Sequence, residues 1–119
     1  MQSARDRCKE LEASLPTIRS AEENQFIYDQ IRNVPGITKW GVWIDAYRQA
    51  DGKFAWGDDT PLDGHYTNWY GGEPNDVGGN EDCVHIYAKE GNLNSESYWN
   101  DLRCDYFMPD AAIMCQKEI

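Results

Sequence analysis

The stretch EPNDVGGNEDC, residues 73–83, contains four carboxylates and two side-chain amides. It has almost no side chain that could build a hydrophobic core, so packing does not account for its composition. Hard cations such as Ca2+ take oxygen ligands from carboxylates, amide and backbone carbonyls, and water. The triplet WND at 99–101 repeats the same chemistry, and Cys83 and Cys104 each follow one of the two motifs closely. The pattern predicts a calcium site, with the rest of the chain as its frame.

The length and charge of the chain limit its class. The chain has 119 residues, enough for one domain with a modest core, and a formal net charge of -10 from 21 acidic and 11 basic residues. Nucleic acids and anionic membrane surfaces attract Lys and Arg, so this charge argues against both. No segment has the length of a membrane span, and no signal peptide is visible. We therefore predict a single domain over 1–119, no nucleic-acid partner and no membrane insertion.

The four cysteines stand at positions 8, 83, 104 and 115. None forms a Cys-x-x-Cys pair, which argues against a zinc or redox motif. An even number of cysteines without metal spacing fits two disulfides in an oxidising compartment. The spacing leaves three pairings open. The expected location is secreted or extracellular, including the cell surface.

Two helices are predicted near the N-terminus. The first covers residues 3–15 and ends at Pro16, with an apolar stripe of Ala4, Cys8, Leu11 and Leu15. The second begins at a capping box, in which Ser20 accepts a backbone N–H bond and Glu23 reaches back. Its predicted buried face is Phe26, Ile27 and Ile31, and it ends at 34–36.

The remaining chain predicts strands and one long loop. A strand at 40–47, a turn at Asp51-Gly52 and a strand at 53–56 form a hairpin. Residues 57–80 form a long loop, ordered by its aromatic side chains. The later predicted strands are 83–88, 98–101 beside the first strand, and a closing strand at 111–115. The predicted class is α+β, with two helices, a mainly antiparallel sheet and a long ordered calcium-binding loop.

The sequence resembles a C-type lectin domain from about residue 3 to residue 117. The pairing of Glu-Pro-Asn with Trp-Asn-Asp, each near a cysteine, is the most specific part of the resemblance. The motifs that carry it are Trp43-Ile44, Asn68-Trp69, Glu73-Pro74-Asn75, Glu81-Asp82-Cys83, Trp99-Asn100-Asp101 and the four cysteines in this order.

The resemblance implies two disulfides, Cys8–Cys115 and Cys83–Cys104, and one principal calcium ion. It also implies that sugar binds on that ion, where two neighbouring hydroxyls complete the coordination shell. The metal ligands it implies, which also bind the sugar hydroxyls, are Glu73, Asn75, Glu81, Asn100 and Asp101.

The order Glu-Pro-Asn resembles members that take equatorial 3- and 4-hydroxyls, as in mannose, glucose, N-acetylglucosamine or fucose. Galactose-type members carry Gln-Pro-Asp instead. An amide donates and a carboxylate accepts, so exchanging them reverses the hydrogen-bond pattern offered to the sugar. The resemblance therefore implies glycans of the mannose type as partners.

The sequence departs from the family in two places. The auxiliary calcium site of the family would draw on Asp51, Asp76 and Asp82, but Tyr47 stands where an acid is expected, with Asp45 two residues away. The family's N-terminal strand is also missing, so the chain is a fragment or its sheet edge is completed differently. An exposed edge invites pairing with another chain, and a homo-oligomer formed there is one hypothesis.

Two other functions compete with sugar binding. Paired carboxylates hydrolyse glycosides, but a carboxylate bound to Ca2+ is held ionised and is a poor general acid, so no enzymatic activity is predicted. A C-type lectin-like domain can also bind a protein, a lipid or another non-sugar ligand. His65 and His85 lack a metal-ligand partner at suitable spacing and are given no role. The five tryptophans are predicted to fill the core.

Overall fold

The computed structural model describes residues 2–32, 34–38, 40–62, 64–70, 81–88, 97–106 and 113–116. Within these ranges one antiparallel sheet has the strand order β2-β1-β3-β4. This confirms the predicted α+β class. The elements are α1 (Gln2–Glu10), α2 (Ala21–Ile31), β1 (Val42–Arg48), β2 (Phe54–Trp56), β3 (Cys83–Ile86) and β4 (Trp99–Leu102).

Helix α1 is shorter than predicted, because it ends at Glu10 rather than at Leu15. The N–H of Glu12 bonds to the carbonyl of Lys9, and the N–H of Ala13 bonds to the carbonyl of Cys8. This pair of bonds, with Glu12 at a left-handed φ of 56°, is a Schellman motif that closes the helix. Leu11, predicted in the buried stripe, is therefore turned outward and is 56% exposed.

Helix α2 begins at the predicted cap, since the Ser20 side chain accepts the N–H of Glu23 at 3.1 Å, but the Glu23 side chain reaches back to the N–H of Arg19, at 3.4 Å, rather than to that of Ser20. The predicted burial of Ile27 and Ile31 is confirmed, but that of Phe26 is wrong, because Phe26 is 59% exposed and Asn24 takes a place in the buried face. Spacings of three and four residues define that face, and the prediction omitted Asn24 because it is polar. The buried residues of α2 are Asn24, Ile27, Tyr28 and Ile31.

The predicted hairpin is confirmed, with Arg48 opposite Phe54 and a turn through Gly52. The predicted neighbour of the fourth strand is wrong, because β4 pairs with β3 and not with β1. Gly41, which leads into β1, has a φ of +63° and lies so close to the Ile86 carbonyl that a Cβ would collide with it. The sheet therefore requires glycine at this point.

The sheet separates two hydrophobic clusters, because successive strand residues face opposite sides. One cluster joins α2 to the face that carries Ile44, Val84 and Trp99. The other joins α1 to the face that carries Trp43 and Leu102. The predicted core role holds for Trp43, Trp56 and Trp99, whereas Trp40 and Trp69 are half-buried.

The two disulfides are Cys8–Cys115 and Cys83–Cys104. Residues 111 and 112 of the predicted closing strand lie outside the described residues. Within 113–116, Gln116 forms an isolated antiparallel bridge with Ser14 rather than part of a strand. Residues 64–70 of the long loop are ordered against the core, where Trp69 lies 5.1 Å from Phe54 between ring centroids.

Candidate functional site

The structure describes three of the five predicted calcium ligands. Glu73 and Asn75 lie outside the described residues, as does Asp76 of the auxiliary set. Glu81 lies two residues before β3 and is half-buried, while Asn100 and Asp101 lie within β4. The register places Asn100 opposite His85 and Asp101 opposite Val84.

Arg48, at the end of β1, links the described parts of the site. Its Nη2 lies 3.3 Å from the backbone oxygen of Glu81 and 3.1 Å from Oδ2 of Asp101. Its Nε lies 3.3 Å from Oδ1 of Asp82, an ion pair without hydrogen-bond geometry. Asp101 is fully buried. Oxygens from two predicted ligands, Glu81 and Asp101, thus meet at one nitrogen atom.

Three further contacts hold Arg48 in place. Its Nη1 donates to the carbonyl of Gly52 at 3.1 Å, and its guanidinium lies 4.5 Å from the centroid of the Phe54 ring. Its backbone N–H donates to the carbonyl of Asp82 at 2.8 Å. The electrostatic attraction between a guanidinium and the face of an aromatic ring stabilises Arg48 over Phe54. The guanidinium therefore has a defined position.

Asn100 is oriented by a buried histidine on the adjacent strand. Nδ1 of His85 lies 2.6 Å from the carbonyl oxygen of Trp40, which can only accept, so Nδ1 carries the proton. Nε2 is then an acceptor, and the amide nitrogen of Asn100 donates to it at 3.1 Å. The amide nitrogen of Asn100, rather than its oxygen, therefore faces the imidazole ring of His85.

Burial keeps this histidine neutral. His85 is fully buried, and desolvation lowers its pKa to about 4, against the opposing effects of the Trp40 carbonyl and Asp101. A neutral imidazole is the form that can accept the Asn100 bond at neutral pH. The orientation of Asn100 therefore persists across the physiological range.

Trp99 anchors β4 and the chain that leads to the acidic stretch. Its ring nitrogen donates to Oδ1 of Asn24 at 2.8 Å, which ties the strand to α2. Its backbone accepts from Tyr70 and donates to Asn68, both at 2.8 Å. The strand that carries Asn100 and Asp101 is therefore bonded to 68–70, immediately before the acidic residues of the sequence motif.

The predicted auxiliary ligands have other partners in the structure. Asp51 Oδ1 accepts the backbone N–H of Lys53 at 2.9 Å and shapes the hairpin turn. Tyr47 donates its hydroxyl to Asp59 at 2.6 Å. Asp45, the acid nearest to Tyr47 in sequence, pairs with Arg5 of α1 at 3.2 Å. Within the described residues, no group of three His, Cys, Asp or Glu side chains could hold a metal ion.

The family model for the lectin C-type domain matches residues 1–117. This chain belongs to the C-type lectin family. Ladderlectin of Oncorhynchus mykiss is 33% identical over 114 residues, which cover 94% of this chain and 55% of ladderlectin. The alpha-N-acetylgalactosamine-specific lectin of Patiria pectinifera is 34% identical over 91 residues, which cover 76% of this chain and 51% of that lectin. The chain thus spans about half the length of these relatives.

Solved structures give the same family. The carbohydrate-recognition domain of cow CD23, determined in the presence of a GlcNAc2Man3 oligosaccharide, has a TM-score of 0.65 and 37% identity. That match covers 85% of this chain and 67% of the CD23 chain. The mouse scavenger receptor C-type lectin domain has a TM-score of 0.67 and 28% identity, over 87% of this chain and 71% of that one. No helix among the described residues has the length and apolarity needed to cross a membrane.

The described residues of this C-type lectin fit a calcium ion by their chemistry. Asp101 supplies a carboxylate, Glu81 a carboxylate and a backbone oxygen, and Asn100 an amide oxygen. These are the oxygen donors that Ca2+ prefers. Arg48 already provides one positive charge beside Asp101 and contacts the Glu81 backbone oxygen, so these two groups are held in place without a metal ion. Asn100 lies on the opposite face of β4 and is held by His85 instead.

Sequence interpretation missed Arg48 and His85. The sequence contains a signal for each residue. Arg48 is a cation at the end of an aromatic strand, and His85 lies between the apolar residues Val84 and Ile86. An ionisable side chain within a predicted buried strand requires a partner. The sequence does not identify that partner, because it lies on another strand.

Proposed function

We propose that this C-type lectin domain binds carbohydrate in a calcium-dependent manner. The observation that carries the proposal is the meeting of the Glu81 backbone oxygen and the Asp101 carboxylate at the Nη2 atom of Arg48, at 3.3 and 3.1 Å. Strand β4 also supplies Asn100, whose amide is fixed by its contact with Nε2 of His85. These contacts support Glu81, Asn100 and Asp101 as three of the five ligands that the resemblance implies.

The proposed ligand set is completed by Glu73 and Asn75 of the sequence motif. Bound Ca2+ would supply coordination positions for two neighbouring sugar hydroxyls. The chain's own contribution is hydrogen bonding, since carboxylates accept from those hydroxyls and amides donate to them. Glu73 and Glu81 are the proposed acceptors, and Asn75 and Asn100 the proposed donors.

We propose a mannose-type preference, for glycans with equatorial 3- and 4-hydroxyls. The order of acid and amide in Glu73-Pro74-Asn75 supports it. The cow CD23 domain, studied with an oligosaccharide that contains mannose and N-acetylglucosamine, is 37% identical. The Patiria pectinifera lectin is named for N-acetylgalactosamine and is 34% identical. Overall identity therefore does not separate the two preferences, and the proposal rests on the motif.

The second candidate is a non-sugar ligand, such as a protein or a lipid. One observation favours it: Arg48 already neutralises Asp101 and Asp82, so the site has a folded form that needs no metal ion. We propose no enzymatic role, because the acids of the site have structural or ligand functions. Two disulfides support an extracellular location, on a secreted or a cell-surface protein.

We further propose that residues 1–119 act as one lectin unit. Single-sugar affinity in such a site is expected to be weak, so useful avidity would come from several domains together. A homo-oligomer would provide this. Sedimentation of the purified chain as a monomer at high concentration would argue against the homo-oligomer without affecting the sugar proposal.

The deciding experiment is retention on immobilised mannose in about 10 mM calcium, followed by elution with EDTA, since extracellular calcium modules bind at roughly 0.1–1 mM. Retention that EDTA reverses supports the proposal. If calcium raises the melting temperature but no resin or glycan array retains the protein, the ligand is not a sugar. If calcium changes neither the melting temperature nor the retention of the protein, the calcium site is refuted.

A further inference from the structure

We propose that the guanidinium of Arg48 takes the place of an auxiliary cation in this domain. In this role Arg48 holds the carboxylates of Asp82 and Asp101 in position when no metal ion is bound. The inference rests in part on the proposed calcium site, and it deepens that proposal by assigning the second positive charge to the chain itself.

The geometry is that of a cation among oxygens from three separate segments. The guanidinium contacts carbonyl oxygens of Gly52 and Glu81, and carboxylate oxygens of Asp82 and Asp101, at 3.1 to 3.3 Å. The segments are the hairpin turn, the chain entering β3, and β4. Two of these segments, the hairpin turn and the chain entering β3, also carry Asp51 and Asp82 of the auxiliary calcium set that the family resemblance implies.

The neighbouring residues explain why the chain needs this cation. Tyr47 stands where the family resemblance expects an acid, and its hydroxyl is used by Asp59. Asp45 is used by Arg5 on α1. Neither position is therefore placed to supply a ligand to an auxiliary metal ion. Arg48, the residue directly after Tyr47, instead places a positive charge beside the carboxylates of Asp82 and Asp101.

Burial makes the counter-ion necessary. The Asp101 side chain is 0% exposed and the Arg48 side chain is 18% exposed. Removing one partner of a buried ion pair leaves an uncompensated charge, which is much more destabilising than the loss of an exposed pair. Asp101 without Arg48 would therefore be unstable until another cation arrived. Calcium is the cation that the site is proposed to bind.

The test compares Arg48→Met with Arg103→Met by thermal unfolding in EDTA and in calcium. Arg103 is a matched control, because it pairs with Asp105 on the surface, with side-chain exposures of 54% and 74%. In EDTA the melting temperature of R48M should fall by at least about 10 °C, whereas that of R103M should change by no more than about 4 °C. In calcium, R48M should gain more than the wild type gains, because the metal ion replaces the lost charge.

The calcium-induced gain distinguishes this role from ordinary packing. If Arg48 only packs against Phe54, R48M and the wild type will gain equally from calcium, and the proposal is overturned. An unchanged melting temperature of R48M in EDTA overturns it as well. If R48M folds only after calcium is added, the proposal is supported.

Arg48→Lys covers the case in which R48M folds in neither buffer. It keeps the charge and should remain folded in EDTA, and its failure to fold would overturn the proposal. The proposed function fails separately if the wild type shows neither a calcium-induced shift nor retention on mannose. In that case a calcium-induced rise in the melting temperature of R48M would still support the Arg48 assignment, and no rise would overturn it.

Discussion

The amide nitrogen of Asn100 lies 3.1 Å from Nε2 of His85, with both residues buried on adjacent strands. The bond orients a predicted calcium ligand through a residue that would not itself touch the metal. Partners of this kind tune metal affinity by fixing the direction of the ligand. His85 is therefore a positioning residue for the proposed site.

The first prediction concerns this bond. His85→Leu should raise the calcium dissociation constant by about 10-fold or more, because the Asn100 amide loses the partner that fixes its orientation. Calorimetric titration with calcium measures the change. His85→Gln retains a hydrogen-bond acceptor and should bind calcium more tightly than His85→Leu. If His85 only fills space, the two variants should have similar calcium dissociation constants. His65→Leu, at an exposed position, is the matched control, and a similar loss there would contradict the assignment.

The second prediction is a loss of stability in acid. The folded state holds the pKa of His85 at about 4, below the value of 6.5 for an exposed histidine. The unfolded chain therefore binds a proton that the folded protein does not. The free energy of unfolding therefore has its full value above about pH 6.5. It decreases as the pH falls towards 4, by roughly 3 kcal/mol at most.

Urea unfolding in EDTA at several pH values measures this effect. The wild type and His65→Gln should lose stability between pH 6.5 and 4 more steeply than His85→Gln. Working in EDTA separates the histidine from any competition between protons and calcium. Equal slopes for the wild type and His85→Gln would show that His85 does not contribute the expected pH dependence.

The third prediction separates a buried acid from an exposed one. Asp101→Asn should abolish retention on mannose in calcium, because it removes a carboxylate from the proposed ligand set. Asp105→Asn makes the same chemical change four residues away, at a side chain that is 74% exposed and paired with Arg103. It should leave retention unchanged. Circular dichroism in EDTA checks that both variants are folded, and retention of a folded Asp101→Asn protein would refute Asp101 as a ligand.

The fourth prediction concerns sugar preference. The double substitution Glu73→Gln with Asn75→Asp should move the preference from mannose towards galactose, because it exchanges the acceptor and donor positions offered to the hydroxyls. Competition by the two free sugars for the immobilised ligand gives the ranking. An unchanged ranking, with calcium binding retained, would remove Glu73 and Asn75 from the specificity assignment.

The sequence was informative where the signal is local. The Ser20 cap, the hairpin at Asp51-Gly52 and the strand at Cys83–Ile86 each depend on residues close in the chain, and the structure contains all three. The prediction failed where local patterns were ambiguous. Leu11 continued the apolar spacing of α1, but the turn at Glu12 ended the helix before it, and Phe26 was assigned to a face that Asn24 occupies.

Residue chemistry indicated the acidic motif and its affinity for calcium, whereas the family resemblance implied the individual ligands and both disulfides. Tertiary structure decided which partners the ionisable residues have. Arg48 meets Asp101 across 53 positions of sequence, and His85 meets the Trp40 carbonyl across 45. Those contacts depend on strand order and register, which place β3 between β1 and β4. No local pattern encodes that arrangement, because it follows from how the whole chain buries its apolar surface.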